Sequence, residues 1–78
     1  MFIEIITPDK KVFSGEVSLV QLPGTNGSFE ILNNHAPIIS TLAKGKIKIV
    51  DAEKKTQYFE IKSGVVEVLK NKIIVLAE

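Results

Sequence analysis

A chain of 78 residues makes one domain, 1–78, with one core, because a domain of that size buries only about 60 to 65% of the surface its unfolded chain exposes. Hydrophobic residues are 45% of the total and mean hydropathy is +0.21, a balance that excludes disorder and leaves apolar surface to place, either in a generous core or against a partner. The absence of Cys excludes a disulfide scaffold and a thiolate metal site, while a net charge of +1 carried by lysines without a single Arg lacks the planar fork that reads guanine or clamps phosphate, so no nucleic-acid partner is expected.

Phe2 to Ile6 reads as a short apolar strand, with a charge at Glu4 and no basic leader before it, so it is not a signal peptide. Thr7-Pro8-Asp9-Lys10 is a turn, where Pro presets the first corner. Val12 and Phe13 resume the extended pattern, and Ser14-Gly15 predicts a bulge or bend before Val17, Leu19 and Gln21 on one face and Val20 and Leu22 on the other. Pro23-Gly24 suits a type II turn and Asn26-Gly27 a type I′ turn, after which Phe29 to Leu32 is a short extended piece.

Asn33, Asn34 and His35 tolerate unusual backbone angles, and Pro37 places Ile38 to Leu42 on an edge or just past the proline. The stretch from Gly24 to Pro37 therefore reads as one long polar loop region, more a working surface than a connector. From Gly45 the alternation is clean: Lys46 and Lys48 oppose Ile47 and Ile49, then Tyr58, Glu60 and Lys62 oppose Phe59 and Ile61 across a hairpin at Asp51 to Lys55. Ser63-Gly64 opens a strand through Leu69, and Lys70-Asn71 turns it into Lys72 to Ala77. No ten-residue window carries helical spacing and no run approaches the roughly 20 residues that span a bilayer, so the expected fold is an all-β sandwich or barrel of a soluble domain.

Chemistry in such a chain would start from His35, its sole group titrating near neutrality, with Ser28, Ser40 or Glu30 beside it. No second His, no nucleophile elbow and no converging pair of carboxylates accompanies it, so no catalytic residue, metal or cofactor is expected and His35 reads as a loop-ordering group or surface contact. Gly45-Lys46 lacks the rest of a phosphate loop, and lysines at 44, 46 and 48 are what a solvated sheet edge needs against aggregation. Harder to dismiss are Val65 to Leu69 and Ile73 to Ala77, apolar on both faces where a sandwich buries only one. An outer apolar face points to a protein interface or a cap of loops.

Ile6-Thr7-Pro8-Asp9 followed by Val12-Phe13-Ser14-Gly15-Glu16-Val17, then Pro23-Gly24 with Gly27-Ser28-Phe29, then Asn34-His35-Ala36-Pro37, resembles the epsilon subunit of F-type ATP synthases. Ser63-Gly64 with Glu67-Val68 and the closing Val75-Leu76-Ala77-Glu78 are similar to the final strands of the same family, and the match runs in order over essentially the whole chain. Asn33, Glu30 and Ser63 depart from the residues usual at those places, a Pro and two glycines.

The resemblance implies a flattened β-sandwich of about ten short strands in the central rotor stalk. In that role a non-catalytic domain joins the ring of c subunits to the gamma shaft at the cytoplasmic face of the bacterial cell membrane, held there only through its partners. It implies a c-ring interface at Thr25, Asn26, Gly27, Ser28, Phe29, Asn34 and His35. For the gamma interface, whose sheet face the resemblance leaves open, Val65, Leu69, Ile74 and Leu76 of the doubly apolar strands are the candidates. Members commonly continue past Leu-Ala-Glu into a two-helix hairpin that senses ATP; none of it lies within these residues, and no ATP-dependent regulation is expected of them. The competing reading is a free-standing sandwich that binds a small ligand through the Gly24 to Pro37 loop.

Overall fold

The computed structural model describes residues 1–78 and contains strands, turns and no helix. Eight strands follow in order: β1 (Phe2–Ile6), β2 (Lys11–Gly24), β3 (Gly27–Leu32), β4 (Ile38–Leu42), β5 (Gly45–Asp51), β6 (Thr56–Ile61), β7 (Gly64–Leu69) and β8 (Lys72–Ala77). The all-β expectation holds, with eight strands in place of about ten. Alternation fixed the later ones: Ile47 and Ile49 are buried while Lys46 is exposed, and Val66, Val68, Ile73 and Val75 are buried between exposed or half-buried neighbours. The β5–β6 turn is held by Asp51, whose Oδ1 accepts from the backbone N–H of Glu53 at 2.8 Å and of Lys55 at 2.9 Å. Lys70 and Asn71 both adopt positive φ, 51° and 63°, the left-handed pair of a type I′ hairpin turn.

β2 is one continuous strand of 14 residues. Ser14-Gly15 does not interrupt it, because both residues pair in register with β1, Ser14 with Glu4 and Gly15 with Ile3. One register shift falls just before them, where the pairing with β1 skips Val12, and another falls further on, between Val17 and Leu19, in the pairing with β5. Ser18 is the extra residue, its Oγ donating to Val50 O at 3.3 Å. As a result Val17, Val20 and Leu22 all point inward, and the expected placing of Val17 on the opposite face from Val20 is corrected. Pro23-Gly24 is likewise strand rather than turn. Gly24 pairs with Gly27, and the hairpin loop is Thr25-Asn26, with positive φ at Gly27 (123°) and not at Asn26, which rules out the type I′ geometry.

The shift in β2 lets one strand serve two layers. Its first half, Lys11 to Glu16, pairs with β1; its second half pairs with β3 on one side and β5 on the other. One layer is β4-β7-β8-β1 with the start of β2, in which β1 and β8 run parallel and the other neighbours antiparallel. The second is β3, the end of β2, β5 and β6. A single rung, Gly24 with Leu42, links β2 to β4 and closes the seam. Between the layers lies one cluster of 16 buried apolar residues, among them Ile3, Val20, Ile31, Ile47, Ile49 and Ile73. Each fully buried aliphatic side chain contributes roughly 1.5–3 kcal/mol, which makes every one a sizeable share of a net stability of about 5–15 kcal/mol.

On the outer surface of β1, Glu4 bridges Lys11 at 2.8 Å and Lys72 at 3.6 Å. The hydrogen bond from Lys11 holds the Glu4 carboxyl below its ordinary 4.5, the charges of Lys11 and Lys72 add to this, and partial desolvation opposes it. A depressed carboxyl stabilises the fold above its unfolded value and loses that contribution as pH falls through the folded value. Urea midpoints compared at pH 7 and pH 3 should therefore drop less in Glu4→Gln than in the parent; an equal drop would mean that the ion pairs add nothing.

Candidate functional site

Two surfaces stand out, and the register of the sheet builds the first. Along β7, Val66 and Val68 face the core, so Val65, Glu67 and Leu69 face out; along β8, burial of Ile73 and Val75 sends Ile74 and Leu76 outward. Cross-strand pairing sets these side chains in rows: Thr41, Val65 and Leu76 in one, Ile39, Glu67 and Ile74 in the next, Leu69 and Lys72 in the third. Val65, Leu69 and Leu76 are exposed and Ile74 is half-buried, so the four candidate gamma-interface residues share one face. Ile39 belongs with them and is the most exposed of all at 74%. The sequence carried a signal for it, since in the pair Ile38-Ile39 one residue must face away from the core. Where this face meets the ends of β1 and β4 it opens into a shallow groove lined by Ile6, Thr41, Gly64, Val65 and Leu76.

The second surface is the loop region, and the structure divides it. Thr25 and Asn26 form the tip of the β2–β3 hairpin, beside the end of β4, where Thr25 Oγ1 lies 2.9 Å from Thr41 Oγ1 and the Thr25 N–H donates to Thr41 O at 3.3 Å. Thr25, Asn26, Gly27 and Ser28 are exposed, with Ser28 Oγ accepting from Gln21 Nε2 at 3.1 Å. Phe29 is different. It is half-buried against the core, and its ring occupies the space beside Gly24, where a Cβ would meet ring carbons at 2.8 and 2.9 Å. Phe29 shapes the tip rather than presenting itself.

Asn34 and His35 lie at the far end of β3, roughly 17 Å away at about 3.3 Å per residue. Asn34, at φ 64°, donates its backbone N–H to Asn71 Oδ1 at 2.8 Å in the β7–β8 turn. Its neighbour Asn33 accepts from the Met1 ammonium at 3.2 Å, a group that also bonds Val17 O at 3.2 Å. His35 is half-buried, donates its backbone N–H to Leu32 O at 3.2 Å, and has Nδ1 2.7 Å from Ala36 O. Ser28 bonds Gln21 and Ser40 bonds the Thr41 carbonyl, so neither hydroxyl meets the imidazole. The expectation that Gly24 to Pro37 frames one loop region is therefore corrected: a strand runs through its middle and carries the two polar segments to opposite ends of the domain. Periodicity could mark the strand but could not reveal where its ends would land.

An apolar outer sheet face and a polar hairpin tip on a small β-sandwich describe a protein-docking domain. The chain belongs to the family described as "ATP synthase, Delta/Epsilon chain, beta-sandwich domain", which matches residues 1–78 throughout. Among curated proteins it is 42% identical over 76 residues to the ATP synthase epsilon chain of Chlorobium limicola, covering 97% of this chain and 86% of that one. It is 40% identical over 74 residues to the ATP synthase epsilon chain of Caulobacter vibrioides, covering 95% and 85%. Among solved structures, a chain of the Euglena gracilis mitochondrial ATP synthase OSCP/F1/c-ring assembly superposes with a TM-score of 0.90 at 17% identity, over 96% of this chain and 48% of that one. A chain of the Tetrahymena thermophila central stalk and c-ring gives 0.80 at 23%, over 99% and 62%. At those identities the structural likeness shows the fold.

Proposed function

We propose that this domain is a non-catalytic subunit of the central stalk that couples rotation of the membrane c-ring to the gamma shaft during ion-driven ATP synthesis. The outward apolar face of β4, β7 and β8 carries the reading, since five aliphatic side chains on one sheet face are surface that a partner removes from water. The shaft covers that face. Thr25 to Ser28, projecting at the hairpin tip, meet the ring, with Phe29 holding the tip in shape. Asn34 and His35 make a separate ring contact at the far end of β3, roughly 17 Å from the tip. Torque needs a stiff body between two partners, and paired strands closed by the Gly24–Leu42 rung supply it.

Co-expression with the host's gamma subunit, with a tag on this chain alone, tests the shaft half. A one-to-one complex on size-exclusion chromatography is expected, and elution of the domain alone beside soluble gamma would refute it. For the ring half, Asn26→Asp combined with Ser28→Glu should lower ATP synthesis in membrane vesicles several-fold while leaving the gamma complex intact; undiminished synthesis would remove the tip from the interface. The split of Gly24 to Pro37 across β3 counts against a single small-ligand site in that stretch.

A further inference from the structure

Among the outward residues of β7 one is charged. Glu67 sits on the apolar face between Val65 and Leu69 along its strand, with Ile39 and Ile74 as its cross-strand neighbours. It makes no ion pair and no side-chain hydrogen bond. The only ion pairs of the domain engage Glu4 with Lys11 and Lys72. Lys72 is a diagonal neighbour of both carboxylates, and it leans toward Glu4, at 3.6 Å, with its ammonium 6.0 Å above the Phe2 ring. Glu67 is thus solvated now and would be stripped of water when the surrounding aliphatic residues are covered.

Covering a carboxylate without a counter-charge costs several kcal/mol, so a partner that seals this face must answer it. We infer that the shaft surface seated on this sheet presents a guanidinium side chain to Glu67, within an otherwise apolar contact. Arg fits better than Lys: it is weakly hydrated, grips a carboxylate with two parallel N–H donors, and lays an apolar stem on aliphatic neighbours. Two shallow depressions flank Glu67: one is bordered by the cations Lys70 and Lys72, and the other, bordered by Pro37, Ile39 and Leu69, offers a path for a long cationic side chain. The pair would set the register of the docked partner, which aliphatic contacts alone leave free to slide.

The inference rests on the docking face assigned above, and the test separates the two. Calorimetric affinity for the purified gamma subunit is measured for the parent, Glu67→Gln, Glu67→Arg and Leu76→Lys, each checked for native circular dichroism. Glu67→Gln should weaken binding roughly tenfold or more and Glu67→Arg roughly a hundredfold. One Arg→Glu variant of gamma should then restore most of the affinity lost by Glu67→Arg. If Leu76→Lys abolishes binding while Glu67→Arg stays within about twofold of the parent, the charge pair is overturned and the docking face stands. Loss on Glu67→Arg that no Arg→Glu variant of gamma repairs also overturns it. Unchanged binding in every variant removes the docking face as well.

Discussion

Leu76→Lys is expected to leave the fold intact and reduce affinity for the gamma subunit by roughly a hundredfold, whereas Val75→Lys, one residue earlier, is expected to unfold the domain. The two positions differ only in the face they occupy. Leu76 is 55% exposed on the outer surface of β8, where a lysine's ammonium reaches water in the free domain and is trapped against apolar surface once a partner docks. Val75 is 0% exposed and lies in the core among Ile3, Ile5 and Val66, where a charge has neither water nor a counter-ion. Circular dichroism and urea denaturation read the first property, calorimetry with gamma the second. A folded Val75→Lys would invalidate the register, and a Leu76→Lys that binds normally would move the shaft to another surface.

Gly24→Ala should destabilise the domain by about 1–3 kcal/mol, a typical cost of forcing atoms into packed space. Its Cβ would stand 2.6 Å from the Gly27 carbonyl oxygen and 2.8 Å from the Phe29 ring, so either the hairpin opens or the ring leaves its seat. Combining Gly24→Ala with Phe29→Leu should recover part of the loss, because the smaller side chain vacates the contested space while the carbonyl clash remains. Gly27→Ala tests a different cause: nothing lies within 4 Å of its Cβ, but its φ of 123° strains any residue with a side chain. Phe29→Leu should not rescue it. If both glycine variants respond alike to Phe29→Leu, ring packing is not what demands Gly24.

These cases mark what a linear reading can reach. Strands β5, β7 and β8 were legible because they alternate inward and outward residues between clear turn signals, as Ile47 and Ile49 do against Lys46, and the doubly apolar β7 and β8 announced an outer face. Pro23-Gly24 misled because its glycine answers the ring of Phe29, further along the chain, and not a turn; composition alone does not separate the two demands. Ser18 as the bulge was equally hidden, since only the pairing with β5 turns both Val17 and Val20 inward. The separation of the hairpin tip from Asn34 and His35 needed the strand between them to be laid in place. Local chemistry wrote the strands, and long-range pairing decided which loops became neighbours.

That pairing also imposes an order on biosynthesis. β1 lies between β2 and β8, and β8 is its parallel partner, with Phe2 beside Lys72 and Ile6 beside Leu76. β1 can form a hairpin with β2 as soon as both have left the ribosome, yet its other edge stays unmet until β8 emerges. Completion of the sheet therefore waits on β8 and on the closing of the long loop between β1 and β8. Until then the nascent domain offers an open strand edge to any neighbour, including another copy of itself, and the delivery of β8 removes that hazard in a single step.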